Sequence, residues 1–152
     1  MLIYAHRGAS SDFKEGSKAA YLGAIAQGAD GFECDVRLTK DKQIICYHDS
    51  DTSRLSNIDL KISKSSYKEL KEKVDPYLLE ELLELAISNK KDLVIELKHP
   101  VSTGALIEKL VHKLLLKRKA DIKNSGIKIS LISFSYLATL RNLKCGYQAG
   151  YL

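Results

Sequence analysis

The segment FECDVRLTKDKQIICYHD, Phe32 to Asp49, reads as two strands joined by a turn, yet it is rich in ionisable side chains. Side chains alternate along a strand, so Glu33 and Asp35 point one way and Cys34 the other. The same rule puts Glu96 and Lys98 together in DLVIELK. His6-Arg7 closes the apolar run LIYAH, and His48-Asp49 closes QIICYH. Taken singly, an E-x-D on a strand is most often exposed, and a strand-end histidine is most often a hydrogen-bonded polar residue. Four successive strand ends carrying ionisable groups are a poor match to chance. Three carboxylates converging on one place raise each other's pKa values unless a cation lies between them. Carboxylate oxygens suit a hard ion, Mg²⁺ or Ca²⁺, whereas zinc would draw more on Cys and His. Composition also admits a two-histidine, one-carboxylate iron site, which leaves Arg7 and Lys98 without a role. Those two cations suit an anionic substrate, most naturally a phosphate. A metal and Arg7 would hold the nonbridging oxygens of a phosphodiester, with Lys98 adding charge stabilisation. His6 and His48 would supply the general acid and base, in an order the sequence leaves open. His99 should face away from Lys98, and His112 lies on an amphipathic helix, so neither is placed in this site.

The elements that must position these groups alternate along the chain. Leu2 to His6 is a short strand. Ser17 to Gly28 is a helix with Ser17 as N-cap and Gly28 as stop. GFECDVRL and QIICYH are strands, Pro76 to Lys90 is a helix, and DLVIELK is a strand. Thr103 to Lys117 is an amphipathic helix, IKISLISF a strand, SYLATLRNL a short helix and QAGYL a last strand. This alternation implies an α/β fold, a parallel sheet covered by helices. In a closed (β/α)8 barrel, catalytic residues sit at the C-terminal strand ends, where these ionisable groups lie.

The 152 residues suit one domain, residues 1–152, with a sizeable core. No apolar run reaches membrane-spanning length, and MLIYAHRG lacks a basic segment followed by a long apolar one. Cys34, Cys46 and Cys145 are an odd number without C-x-x-C spacing. They read as free thiols in a reducing, cytoplasmic setting. The net charge of +5 is spread thinly, and its densest patch, Lys113 to Lys119, has no interleaved aromatics. It reads as a solvated helix face rather than a nucleic-acid platform.

These residues resemble the glycerophosphodiester phosphodiesterase family, whose fold is a phospholipase-C-like (β/α)8 barrel of the TIM-barrel type. The family's H-R-G is His6-Arg7-Gly8. Its E-x-D-V-x-x-T-x-D block runs from Glu33 to Asp41. Its H-D pair is His48-Asp49 with Arg54 following, its E-x-K is Glu96 to Lys98, and its Ser-Phe pair is Ser133-Phe134. The resemblance implies hydrolysis of glycerophosphodiesters to glycerol 3-phosphate and an alcohol. It implies Glu33, Asp35 and Glu96 as metal ligands, His6 and His48 as the acid/base pair, and Arg7 on phosphate. It also implies a cyclic phosphate formed by attack of the substrate's own hydroxyl.

The chain departs from the family pattern in two ways. The usual P-E-N-T before the first helix is Lys14-Glu15-Gly16-Ser17, with Gly16 in place of Asn. The second departure is length, since a barrel of this type typically takes about 250 residues. The six strands counted here predict a barrel lacking two strand–helix units, with exposed edges prone to self-association. The segment Asp51 to Asp75 is also short. Two other functions stay open: an inactive binding or assembly unit, and a phosphodiesterase acting on lysophospholipids or related lipids.

Overall fold

The computed structural model describes residues 1–101 and 103–152. Its strands are β1 (Tyr4–His6), β2 (Gly31–Leu38), β3 (Ile44–Cys46), β4 (Asp92–Leu97), β5 (Ile129–Ser133) and β6 (Gln148–Tyr151). Its helices are α1 (Lys18–Ala26), α2 (Tyr67–Lys73), α3 (Leu79–Ser88), α4 (Leu106–Lys117), α5 (Lys119–Ser125) and α6 (Tyr136–Lys144). One sheet holds all six strands. β1, β2, β4, β5 and β6 run parallel in that order, and β3 pairs antiparallel with β2. Six strands were expected, but the third is not a barrel stave. The turn from Thr39 to Gln43 is too short for a crossover, so the chain can only double back. Among the described residues there are therefore five staves, against eight in a closed barrel.

Local chemistry explains the helix starts. The Ser17 side chain accepts from Ala20 N–H and that of Ser135 from Ala138 N–H, each satisfying a free amide of a first turn. Two short helices, α2 and α5, had no counterpart in the sequence reading. Seven residues each, they are too short to show a helical period.

Two cores organise the molecule. The larger lies between the sheet and α1, α3 and α4, and takes Phe32, Cys34 and Val36 from β2 with Leu93, Ile95 and Leu97 from β4. The smaller gathers Ile45, Tyr47, Ile62, Leu70 and Val74 under the 51–75 segment. The register pairs Glu33 with Val94 and Asp35 with Glu96. The alternate positions of β2 and β4 therefore turn their carboxylates to the face opposite the larger core. Apolar side chains are exposed near both outer strands, including Leu2, Ile3 and Tyr4 beside β1 and Tyr151 and Leu152 at β6. Among the described residues no helix is long and apolar enough to cross a membrane.

Candidate active site

The chain end of β1 sets the site up. His6 lies beside Glu33 in register, with its Nε2 3.7 Å from Glu33 Oε2. Strand alternation would send Arg7 to the opposite face. Instead Arg7 adopts φ 58 and Gly8 φ 79, so the chain turns and the Arg7 side chain returns to the carboxylates. A left-handed non-glycine residue costs about 1–3 kcal/mol and persists only where its surroundings hold it. Here Arg7 N–H donates to Glu33 O at 3.1 Å, and Arg7 O accepts from Gly16 N–H at 2.9 Å. Gly8 has a steric reason to be glycine, because a Cβ there would lie 2.6 Å from the Ala20 carbonyl carbon.

Glu33, Asp35 and Glu96 each offer an oxygen, and these oxygens lie within 4.8 Å of one another. Arg7 Nε stands 2.8 Å from Asp35 Oδ2. Lys98 Nζ stands 2.7 Å from Asp35 Oδ1 and 2.6 Å from Glu96 Oε1. Both buried Asp35 oxygens lack an aligned hydrogen-bond donor, so Arg7 and Lys98 meet them as charges. Burial and the neighbouring Asp35 charge push the Glu33 carboxyl up to about 7. Three acidic oxygens, one buried carboxylate short of donors and a carboxyl that resists ionising fit a missing positive charge. The cluster could hold a divalent cation, and its all-oxygen donor set suits a hard one.

His48 joins through a longer chain. Its Nδ1 lies 2.9 Å from Asp49 Oδ1, so the carboxylate holds Nδ1–H and leaves Nε2 free. Arg54 Nε donates to Asp49 Oδ2 at 2.5 Å, and Arg54 also donates to both Glu15 oxygens. Glu15 accepts from Arg7 Nη1 at 3.2 Å. Burial opposes ionisation of Asp49, but the His48 hydrogen bond and Arg54 outweigh it and hold its pKa below the usual range. The Arg54 hydrogen bonds do the same for Glu15, against burial and with help from Arg7.

Six of the seven anticipated residues, His6, Arg7, Glu33, Asp35, Glu96 and Lys98, thus meet at one end of the sheet. His48 is tied to them through Asp49, Arg54, Glu15 and Arg7. Lys98 sits between two carboxylates, a position strand alternation does not specify. The sequence reading overlooked Arg37, whose Nε donates to His48 O at 2.9 Å. Its signal was present, since Arg37 follows Glu33 and Asp35 at the same alternation. A cleft of about 500 Å³ runs past Arg37, His48, Arg54, Glu96, Lys98 and Phe134. His99 also lines this cleft, against the expectation that it faces away, while its Nε2 stands 3.4 Å from Glu108 on α4.

The sequence profile of the Glycerophosphoryl diester phosphodiesterase family matches residues 6–150. The chain belongs to this family. It is 32% identical over 162 residues to a Mycobacterium tuberculosis protein named "Probable glycerophosphodiester phosphodiesterase 1". That match covers 91% of this chain and 58% of the relative. The crystal structure of the Thermotoga maritima glycerophosphodiester phosphodiesterase superposes with TM-score 0.83 at 32% identity, covering 99% of this chain and 62% of that one. An Oleispira antarctica phosphodiesterase, solved with its product sn-glycerol-3-phosphate, gives TM-score 0.78 at 25% identity, covering 99% and 65%. The chain therefore spans about three fifths of the length of these family members, and the family barrel accounts for the five parallel staves.

The Gly16 departure noted in the sequence has a backbone counterpart. Its φ is +69, the left-handed region that Gly and Asn both enter readily. Glycine in place of the family's Asn keeps the backbone path, and Ser17 still caps α1.

Proposed function

We propose that this chain hydrolyses glycerophosphodiesters to sn-glycerol 3-phosphate and an alcohol with the help of a divalent cation, Mg²⁺ or Ca²⁺. The observation that carries this reading is the convergence of Glu33, Asp35 and Glu96 within 4.8 Å, faced by Arg7 and Lys98 at the strand ends. Those three carboxylates would hold the cation, which would polarise the phosphoryl oxygens when bound. Arg7 and Lys98 supply fixed positive charge to a phosphodiester lying in the cleft. His48, oriented by Asp49, exposes Nε2 for proton transfer, and His6 beside Glu33 supplies the second proton-carrying group. One removes the proton of the attacking hydroxyl, and the other returns a proton to the leaving alcohol oxygen. Arg37 holds the His48 backbone and acts as a positioning residue.

The test is release of glycerol 3-phosphate from glycerophosphocholine by the purified chain with Mg²⁺, with Ca²⁺ and with a chelator. Chelator-sensitive release supports the reading. Release from lysophosphatidylcholine but not glycerophosphocholine would move the substrate to a lipid. No release from either overturns the activity and favours a binding or assembly unit. The exposed apolar side chains near β1 and β6 support self-association of this chain. A sedimentation coefficient that stays monomeric from micromolar to near-millimolar concentration would rule that out.

A further inference from the structure

At the opposite end of the sheet from the carboxylates, the loop between α6 and β6 carries an exposed thiol, Cys145. Its Sγ lies 2.9 Å from His112 Nδ1 on α4. The other ring nitrogen, His112 Nε2, lies 2.9 Å from Asn142 Oδ1 on α6. The placement of the Asn142 amide, with Oδ1 toward the ring, assigns the tautomer. Asn142 Oδ1 can only accept, so His112 Nε2 carries the proton and Nδ1 presents its lone pair to the thiol. Nucleophile, base and an amide that orients the base form one line, the arrangement that activates a cysteine. The parts are held firmly. Asn142 is fully buried, and among the described residues its side chain is hydrogen-bonded to His112 alone, its Nδ2 having no partner. The Tyr147 ring stacks on the imidazole at 6.3 Å between centroids.

A groove of about 500 Å³ opens at this thiol. Leu116, Ile122 and Tyr147 give it apolar walls, and Lys119 and Lys123 line it with positive charge. A thiol beside a base and two lysines suits a sulfur electrophile that bears carboxylates.

We propose that Cys145 is a thiol-modification site at which a small, carboxylate-bearing disulfide attaches by exchange. His112 Nδ1 takes the Cys145 proton. The thiolate sulfur attacks one sulfur of the disulfide, forming a new S–S bond as the old one breaks. The departing thiolate takes up the proton from the imidazolium, so one thiol and one disulfide yield a mixed disulfide and one thiol. Lys119 and Lys123 draw the carboxylates into the groove. Cys34 and Cys46 are buried, so Cys145 is the accessible thiol of the folded chain.

The experiment measures adduct formation at Cys145 by peptide mass spectrometry at neutral pH, with oxidised glutathione and with uncharged bis(2-hydroxyethyl) disulfide. Cys145 in the folded chain should react at least about threefold faster than in the same chain unfolded in urea, because His112 Nδ1 stands in place to take the thiol proton as the sulfur attacks. His112→Gln should bring the folded rate down to the unfolded one. Oxidised glutathione should outpace the uncharged disulfide, and Lys119→Gln with Lys123→Gln should remove that lead. A folded rate no greater than the unfolded rate, or a rate indifferent to His112→Gln, overturns the proposal. Equal rates for the two disulfides overturn its anionic selectivity. The comparison of folded with unfolded wild-type chain stays decisive even where a variant folds poorly.

Discussion

Two buried carboxylate sites in this molecule differ in one respect that separates them physically. On α4, Glu108 is 1% exposed and faces Arg141, which donates to it through Nε at 2.8 Å and through Nη2. One negative charge meets one guanidinium, with His99 3.4 Å away, and α4 is thereby fastened to α6. At the strand ends, three carboxylates share two cations, Arg7 and Lys98. The first site is balanced as it stands. The second falls one positive charge short, and Glu33 shows it by resisting ionisation until about pH 7. Both contain buried acids, a histidine and a cation, so composition alone does not tell them apart. The charge count does, and it separates a fastening from a cluster that could hold a cation.

The largest effects should come from the histidines of the strand-end site. His6→Ala and His48→Ala should each lower glycerophosphocholine turnover about 10²- to 10⁴-fold, the usual range for a general acid or base. Circular dichroism and the unfolding midpoint should barely move, because both side chains reach solvent. Turnover surviving in both variants would dissolve the distinction between the two sites.

Breaking the fastening should show the reverse pattern. Arg141→Met leaves Glu108 buried without its guanidinium. A fully buried broken pair costs about 3–5 kcal/mol. The Arg141 side chain keeps 36% exposure, so water can partly screen what remains, and we expect about 2 kcal/mol. Urea unfolding with an unchanged m-value reads this, while turnover of the remaining folded protein should stay near wild type. A shift below about 0.5 kcal/mol would mean Glu108 is not fastened by Arg141.

A third effect follows from the raised Glu33 pKa. A carboxyl raised from 4.5 to about 7 favours the folded state while it is protonated. That contribution is present below the unfolded pKa and is lost as pH rises through the folded value. Without a cation, stability from this group should therefore fall between about pH 4.5 and 7. A bound cation needs the ionised form, so its affinity should drop roughly tenfold for each pH unit below 7 and level off above it. Calorimetric Mg²⁺ titrations at pH 5.5, 6.5 and 7.5 check the slope. An affinity independent of pH would remove Glu33 from the ligand set.

How much of this was readable beforehand depends on how local each feature is. Glu33, Asp35, Glu96 and Lys98 were legible because strand alternation is a rule of neighbouring residues. The N-cap Ser17 was legible for the same reason, whereas the capping role of Ser135 emerged only from the structure. Arg7 was placed at the site by its type, but its route there depends on a left-handed turn held by Glu33 and Gly16, which no local pattern states. The short turn after Leu38 did carry the antiparallel direction of β3, and the alternation of helices and strands masked it. Helices α2 and α5 were lost because one or two turns show no period. Cys145 and His112 lie 33 residues apart, and only the packing of α4 on α6 brings them into contact.

The smallest expected effect asks what positions the cations of the strand-end site. Gly16 N–H holds Arg7 O, and Arg7 in turn reaches Asp35. If backbone path alone sets Arg7, Gly16→Asn should cost about 1 kcal/mol of stability, the low end for a non-glycine residue at a left-handed position, because Asn enters that region more easily than most. The added Cβ would stand 3.4 Å from Cys46 O, an ordinary contact. Metal affinity should then be unchanged, since the same amide still holds Arg7. A larger loss of stability would show that the carbonyl of Cys46 crowds the new side chain and that glycine is sterically required. A loss no larger than this backbone cost, with altered turnover, would show instead that an amide at this position works on the substrate side of the cleft. The second outcome would extend the contrast between the two sites, because substituting Gly16 would then alter function at the strand ends beyond what its backbone cost explains.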